Sequence, residues 1–410
     1  MQKKTLIAFA LTASSLLAQA QETFKIAIID PLSGPMADVG KIFENHLRFA
    51  AAQLNARGGM NGMQLEVVAF DNKLSTQETQ TAVRSAVDQG VKAIFLGAGS
   101  AAVSAAMTAI ERNNTRNPDK TIMLFNHSSY DPDLVGKQCS FWHFMTDVQV
   151  PMRMKAMGEL VKKTPSIKKV YFLNPNYSFG QQWAAYGKTI LAEARPDIEF
   201  VGETFFPTGT VKDFAPYVAK MRAAGADTVV SGNWGNDMTL LIRAAGESGY
   251  QLRILTHAGP IKSTLLALQT APTVKLSQVG EWFPGADNPQ VTELAEKFEK
   301  QYKEPYYLAR LNLAIDLLDQ GVRKANSTDP QKIAAALEDL EFDSLIGPMK
   351  VRAQDHQVLS NQHVYSNHPV DGQKVTKGFD GTNQGFALEM ITPFTSLVLP
   401  VDACNMKRPS

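Results

Sequence analysis

Much of what marks a reactive protein is missing here. Two cysteines, Cys139 and Cys404, occur in 410 residues, too few for a disulfide-dense scaffold or a four-thiolate zinc site. His-Glu-x-x-His is absent, and His356, His363 and His368 lack the tight spacing of a zinc site; they read as solvent-facing or hinge-side residues. No metal and no cofactor is expected. Gly-x-x-x-x-Gly-Lys-Ser/Thr is absent too, which removes the phosphate-cradling loop of nucleotide-binding proteins. Without Gly-x-Ser-x-Gly, pairing Asp355-His356 with a distant serine gives no triad, because a triad is defined by geometry. No repeat of fixed period is visible, which argues against a solenoid. Neither sign of charge dominates: the net charge of +1 offers no field for nucleic acid or an anionic membrane. Beyond the first twenty residues no run is apolar and long enough to span a bilayer, which takes about 20 residues.

Those first twenty residues stand apart. Lys3 and Lys4 precede a mostly apolar stretch from Leu6 to Leu17, then Ala18-Gln19-Ala20. A basic start, a short apolar core and a small-x-small site make a secretory signal cleaved after Ala20. The apolar stretch is too short for an anchor, and no cysteine follows to carry a lipid. The expected location is periplasmic. In an exported chain an even pair of cysteines is a candidate disulfide, the alternative being two free thiols. Hydrophobic residues at 44% and charged residues at 20% fit a globular protein of two or three domains.

Strand and helix patterns alternate from residue 24 onward. Phe24–Asp30, Leu65–Asp71, Ala93–Leu96 and Ile122–Asn126 read as strands, with helices over Lys41–Ala56 and Thr76–Gln89 between them. Ser75 with Glu78 marks a helix start, and Gly58-Gly59 and Gly90 mark ends. The pattern resumes with strands at Lys169–Asn174, Glu199–Phe206, Thr228–Gly232 and Arg253–His257 and a helix over Asp213–Ala224. Val279–Phe283 reads as a return strand, followed by helices at 291–302, 306–324 and 330–340. From Gly347 the chain is short extended pieces. Such alternation implies βαβ units and parallel sheets.

The organising stretch is Ala93-Ile94-Phe95-Leu96-Gly97-Ala98-Gly99-Ser100-Ala101-Ala102. It is a buried strand, a glycine turn and a helix start, with Ser100 at the expected N-cap. Free amides at a helix start make a ready anion site. The stretch also matches the dinucleotide fingerprint, but it follows the third strand, and the next strand ends in Asn126-His127 instead of an acid.

FKIAIIDPLSGPMADVG, LNARGGMNGMQLEVVAFD, the Gly99-Ser100 turn and SSYDPDL, in this order, closely resemble the periplasmic leucine/isoleucine/valine-binding proteins of ABC transporters. The resemblance covers most of residues 24–350. It implies an α/β fold of two Rossmann-like three-layer lobes joined by three crossover segments, the type I periplasmic binding fold, closing on ligand like a trap. The crossovers should fall near 146–148, 281–284 and 355–363. The N-terminal lobe is then 21–146 plus 284–355, the C-terminal lobe 147–283 plus 356–385, and the tail 386–410.

Ligands of open α/β sheets sit beyond the carboxyl ends of the strands. The resemblance assigns the ligand carboxylate to Ser100 and to the loop Ser128, Ser129 and Tyr130. It places Phe179 and Trp234 over the ligand body, with Tyr177 beside Phe179. It implies a transport protein with a membrane permease as partner and no catalysis; a sensory module for a membrane receptor and an exported enzyme are the alternatives. Two departures matter. Relatives that bind α-amino acids carry an acid where this chain has Ala258, and Val39 stands where a tyrosine is common. Unless Asp237, Asp38 or Glu281 reaches in, a ligand ammonium has no counter-charge, and a buried unpaired charge is expensive. A carboxylate with an apolar or aromatic body fits better. Leu74 and Gly99 occupy the family's disulfide positions, so that bridge is missing.

Overall fold

The computed structural model describes residues 23–258, 261–282, 288–379, 381–401 and 403–409. The leader at 1–20 and its cleavage point lie outside them, as do residues 259–260 and 283–287.

The first lobe comprises β1 (Thr23–Asp30), α1 (Ala37–Ala56), β2 (Gln64–Asp71), α2 (Thr76–Asp88), β3 (Ala93–Leu96), α3 (Ser100–Arg116), β4 (Met123–Asn126) and β5 (His143–Met145). Its strands are all parallel, in the order β2-β1-β3-β4-β5. Strands β3 and β4 are wholly buried, as parallel strands covered on both faces must be. Phe95, Phe125 and Phe144 stack across β3, β4 and β5 at 5.2 and 5.6 Å.

The second lobe repeats the scheme with α4 (Val150–Lys162), β6 (Lys169–Pro175), α5 (Ser178–Ala194), β7 (Glu199–Phe206), α6 (Ala215–Ala223), β8 (Thr228–Ser231), α7 (Gly235–Glu247), β9 (Leu252–Thr256), α8 (Lys262–Gln269) and β10 (Val274–Gly280). The parallel part, β7-β6-β8-β9-β10, has the first lobe's order strand for strand. The chain then returns to the first lobe with α9 (Pro289–Tyr302), α10 (Ala309–Ala325) and α11 (Pro330–Leu337), and forms a small antiparallel sheet of β11 (Glu341–Ser344), β12 (Gly347–Val351) and β13 (Val358–Ser360). Finally β14 (Gln362–Pro369) adds antiparallel to β10, and β15 (Gln384–Thr392) antiparallel to β14, at the edge of the second sheet. These are two α/β lobes with crossover connections.

In each lobe the strand order reverses between the first and third strands, which opens a crevice at their carboxyl ends. The crevices face each other, and the loops leaving β1, β3, β6 and β8 meet between the lobes.

Several expectations shift. Helix α1 starts at Ala37, ahead of Lys41, because Gly34 and Met36 carbonyls already accept from Ala37 and Val39. The return strand ends near Gly280 and begins at Val274; residues 276–280 are all buried. The second lobe does not stop at 385: β15 pairs with β14 from Gln384 through Thr392, so the first residues assigned to a tail belong to its sheet. His356 is buried, stacked 4.3 Å from Phe144 and bonded to Glu338 at 3.0 Å, and His363 is buried too. Neither faces solvent. Cys139 and Cys404 form a disulfide.

Candidate functional site

Asp30, at the end of β1, is fully buried and sets the first wall of the cleft. Its Oδ1 accepts from the amides of Gly97 and Ala98 at 3.2 and 2.8 Å, and its Oδ2 takes His127 Nε2 at 3.1 Å. The turn after β3 is thereby tied down. Gly99 then adopts φ +85°, a left-handed conformation that glycine takes without strain. Gly99 is therefore the N-cap and Ser100 the first helical residue, so the helix begins one residue earlier than expected. Ser100 is 3% exposed, and its Oγ has no hydrogen-bond partner. As first-turn residues, Ser100 and Ala101 also have amides with no carbonyl to meet inside the helix. A buried hydroxyl left unpaired beside free amides is a costly arrangement unless something arrives to accept from it.

Ser128 is differently placed. His127 Nδ1 lies 2.9 Å from Ser128 Oγ, and Arg310 Nε donates to the same oxygen at 3.0 Å. Burial keeps His127 below its ordinary pKa, and hence neutral. With Nε2–H directed at the Asp30 carboxylate, Nδ1 carries only a lone pair and takes the Ser128 hydrogen. Toward the cavity Ser128 can accept but not donate, so it is not a hydroxyl donor for a carboxylate. The neighbouring Ser129 is held by Asn126, which bonds both its amide and its carbonyl at 2.9 Å.

The second lobe supplies an aromatic wall. Trp234 Nε1 donates to Tyr177 Oη at 3.1 Å, which fixes both rings. His257 sits edge-on to Phe179 at 4.8 Å, Trp183 at 5.1 Å and Tyr130 at 5.3 Å. Its Nε2 lies 3.3 Å from the Gly232 carbonyl and must donate there, leaving Nδ1 as an acceptor. Burial, helped by Arg153, pushes His257 down to about 3. Tyr177 and Phe179 both line the cavity.

Ser100, Ser128, Ser129, Tyr130, Tyr177, Phe179, Trp234 and Ala258 all border one cavity between the lobes. It holds about 70 Å³, against the ~10–15 Å³ that one water occupies on the same measure. That is room for a small molecule only. The rim is shut. Gly235, at φ +56°, lies so close to the first lobe that a Cβ there would stand 2.8 Å from Val39 and 3.2 Å from the Met36 sulfur. Ser178 at the start of α5 hydrogen-bonds Asp131 across the lobes.

Sequence reasoning missed Arg310 as a lining residue, with Phe43, Met238 and Tyr307. Among the described residues of the lining there is no carboxylate, and Arg310 is the one permanent charge. None of the three acids considered as substitutes for the missing one at Ala258 borders the cavity. Asp237 accepts from the Gly209 amide at 2.8 Å through Oδ2 while its buried Oδ1 has no partner, Asp38 is exposed, and Glu281 clasps Arg310 Nη1 at 3.0 and 3.2 Å. Behind the cavity Arg310, Glu281, Asp147 and Arg153 form a buried group of two cations and two anions, with Arg153 bonded to Asp147 and stacked 4.1 Å over Tyr130. Burial works to raise Glu281, but Arg310 and Arg153 outweigh it and hold it below the usual range. Burial pushes Asp147 up to about 6, against Arg153. No group of three His, Cys, Asp or Glu among the described residues could hold a metal ion.

The model of the periplasmic binding protein family matches residues 23–367. The chain belongs to that family. Its members are transport binding proteins, not enzymes, and the two-lobed trap with its cleft fits that role. A curated relative, Leu/Ile/Val-binding protein homolog 4 of Brucella melitensis, is 28% identical over 98% of this chain and 96% of its own. The crystal structure of a leucine-, isoleucine-, valine-, threonine- and alanine-binding protein from Brucella ovis, in its closed conformation, superposes with a TM-score of 0.81 at 25% identity, covering 95% of this chain and all of that one. A solute-binding protein of an ABC transporter from Rhodopseudomonas palustris, in complex with 3,4-dihydroxybenzoic acid, shares the fold with a TM-score of 0.75 at 16% identity, covering 94% of this chain and 99% of its own.

The family member carries a pH signature. His46 and His143 are buried and His257 half-buried, and loss of water pushes each down to about 3. Unfolding returns them to about 6.5, so between those values the unfolded chain binds more protons. Stability should fall as pH falls through that window, by up to about 1.4 kcal/mol per pH unit for each histidine. Urea midpoints at pH 7, 5.5 and 4.5 check this. His143→Phe, which does not touch the cavity, should flatten the slope.

Proposed function

We propose that this protein captures a small carboxylate with an apolar or aromatic body and no ammonium group, and delivers it to an ABC-type permease from the periplasm. One observation carries the ligand class: the described lining holds an orphaned serine hydroxyl, free helix amides and an arginine, but no carboxylate. The carboxylate meets Ser100 and the amides of α3. Tyr177, Phe179, Trp234 and His257 enclose the body. Ser128 and the His257 Nδ1, both acceptors here, suit a ligand hydroxyl. The benzoate-type ligand of the Rhodopseudomonas structure is of this chemical class. The export signal at residues 1–20 supports the location, and among the described residues no helix is long and apolar enough to cross a membrane.

Closure draws its bias from contacts made only when both lobes reach the ligand. A thermal-shift screen of amino acids, keto acids and aromatic acids tests the class, since a ligand at a hundred times its Kd stabilises by about 2.7 kcal/mol. Ser100→Ala should then weaken the best acid by roughly 1.5–3 kcal/mol, the worth of a hydrogen bond to a charged group. Unchanged affinity in calorimetry would remove Ser100 as the anchor.

A further inference from the structure

Three crossovers join the lobes of this fold, but the chain crosses a fourth time. After β15 leaves the second sheet, Leu397 is buried against that lobe's core. The Phe394 amide bonds Asn361 Oδ1 at 3.0 Å. Leu399 then gives its carbonyl to Arg352 Nη1 at 3.0 Å, and Arg352 is itself clamped by Asp355 at 2.9 and 2.6 Å. Residues 399–401 and 403 border a groove whose walls come from both lobes: Asp133 and Gly136 on one side, Gln149 and Tyr186 on the other. Beyond it the segment belongs to the first lobe. Cys404 is bonded to Cys139, Met406 packs on the first core, and Arg408 reaches Glu338 at 2.8 Å and the Ala353 carbonyl at 2.8 Å.

Each end is therefore fixed to a different body. One end continues an antiparallel pairing that runs the length of β15. The other is covalent. Any rotation of the lobes must therefore move Cys139 relative to Leu397. We propose that the disulfide-closed C-terminal segment is a tether that limits lobe rotation and keeps the ligand-free protein near the closed arrangement. A receptor held close to its competent state loses less affinity to the rarity of that state. The tether thus acts on binding without touching the cavity.

Small-angle scattering of the ligand-free protein tests this without knowledge of the ligand. The double variant Cys139→Ser/Cys404→Ser should raise the radius of gyration by about 1 Å over the ~21 Å expected for a chain of this length. Loss of the disulfide also lowers stability, so a second variant separates the effects. Six Gly/Ser residues inserted between Pro400 and Val401 lengthen the tether and keep the bridge. This variant should show the same expansion with little change in melting temperature. A radius unchanged in the insertion variant would overturn the tether and leave the bridge a local clamp.

Discussion

Arg310→Ala is expected to lower the stability of the fold by about 3–5 kcal/mol, the usual penalty for leaving a buried charge without its partner. Glu281 is 3% exposed and takes two hydrogen bonds from Arg310 Nη1. Without them its nearest cation is Arg153 at 4.0 Å, already committed to Asp147. Ser128 loses the Nε donor as well. The paired replacement Arg310→Met with Glu281→Leu removes both charges and should recover most of the loss, because a buried ion pair and well-packed apolar groups of similar volume are often equivalent. Urea titration reads both, as midpoints at unchanged slope. The paired variant should still bind its acid more weakly, since the cavity then has no permanent cation. A single variant as stable as the parent would mean that Glu281 finds another partner or becomes protonated.

Ala258→Asp is expected to shift the preference between an amine-free acid and the matching amino acid by on the order of 100-fold or more, toward the amino acid. Ala258 lines the cavity at 6% exposure, its amide held by Thr256 Oγ1 at 3.0 Å. A carboxylate there repels a ligand anion across a desolvated gap, where juxtaposed like charges cost several kcal/mol, and it supplies the partner an ammonium lacks. Ala258→Asn has nearly the same shape and no charge, so it should leave the preference where it is. Competition binding on the three proteins reads the ratio directly, and an Asp variant that prefers the same ligand as the parent would show that the acid does not face the cleft.

The βα alternation was legible because its signals are local: periodicity, glycine ends and a helix start at Ser75, whose Oγ accepts from Glu78 as expected. The cleft loops followed from the strand-end rule. What escaped depends on contacts distant in sequence or on single dihedral angles. Strand β5 has three residues, too few for any period. Helix α3 begins one residue earlier than expected because the boundary is set by the φ of Gly99. Arg310 is 182 residues from Ser128, and nothing in the α10 pattern says which of its residues faces the cleft. The role of Ser128 changed because the direction of its hydrogen depends on His127 and Asp30, which only the fold brings together. The missing acid at Ala258 was visible from sequence; that neither Asp237, Asp38 nor Glu281 replaces it was not.

The central claim is that this cleft takes a carboxylate and has no place for an ammonium. Calorimetric titration of the unmodified protein with leucine and with its deaminated keto acid, side by side at pH 7, tests it most directly. The two share a carboxylate and an aliphatic body and differ at the α-carbon, where an ammonium in this cavity is desolvated with no counter-charge. The account predicts tighter binding of the keto acid, by roughly 30-fold or more, since a penalty of about 2 kcal/mol is modest for an unpaired buried charge. Tighter binding of leucine would contradict it.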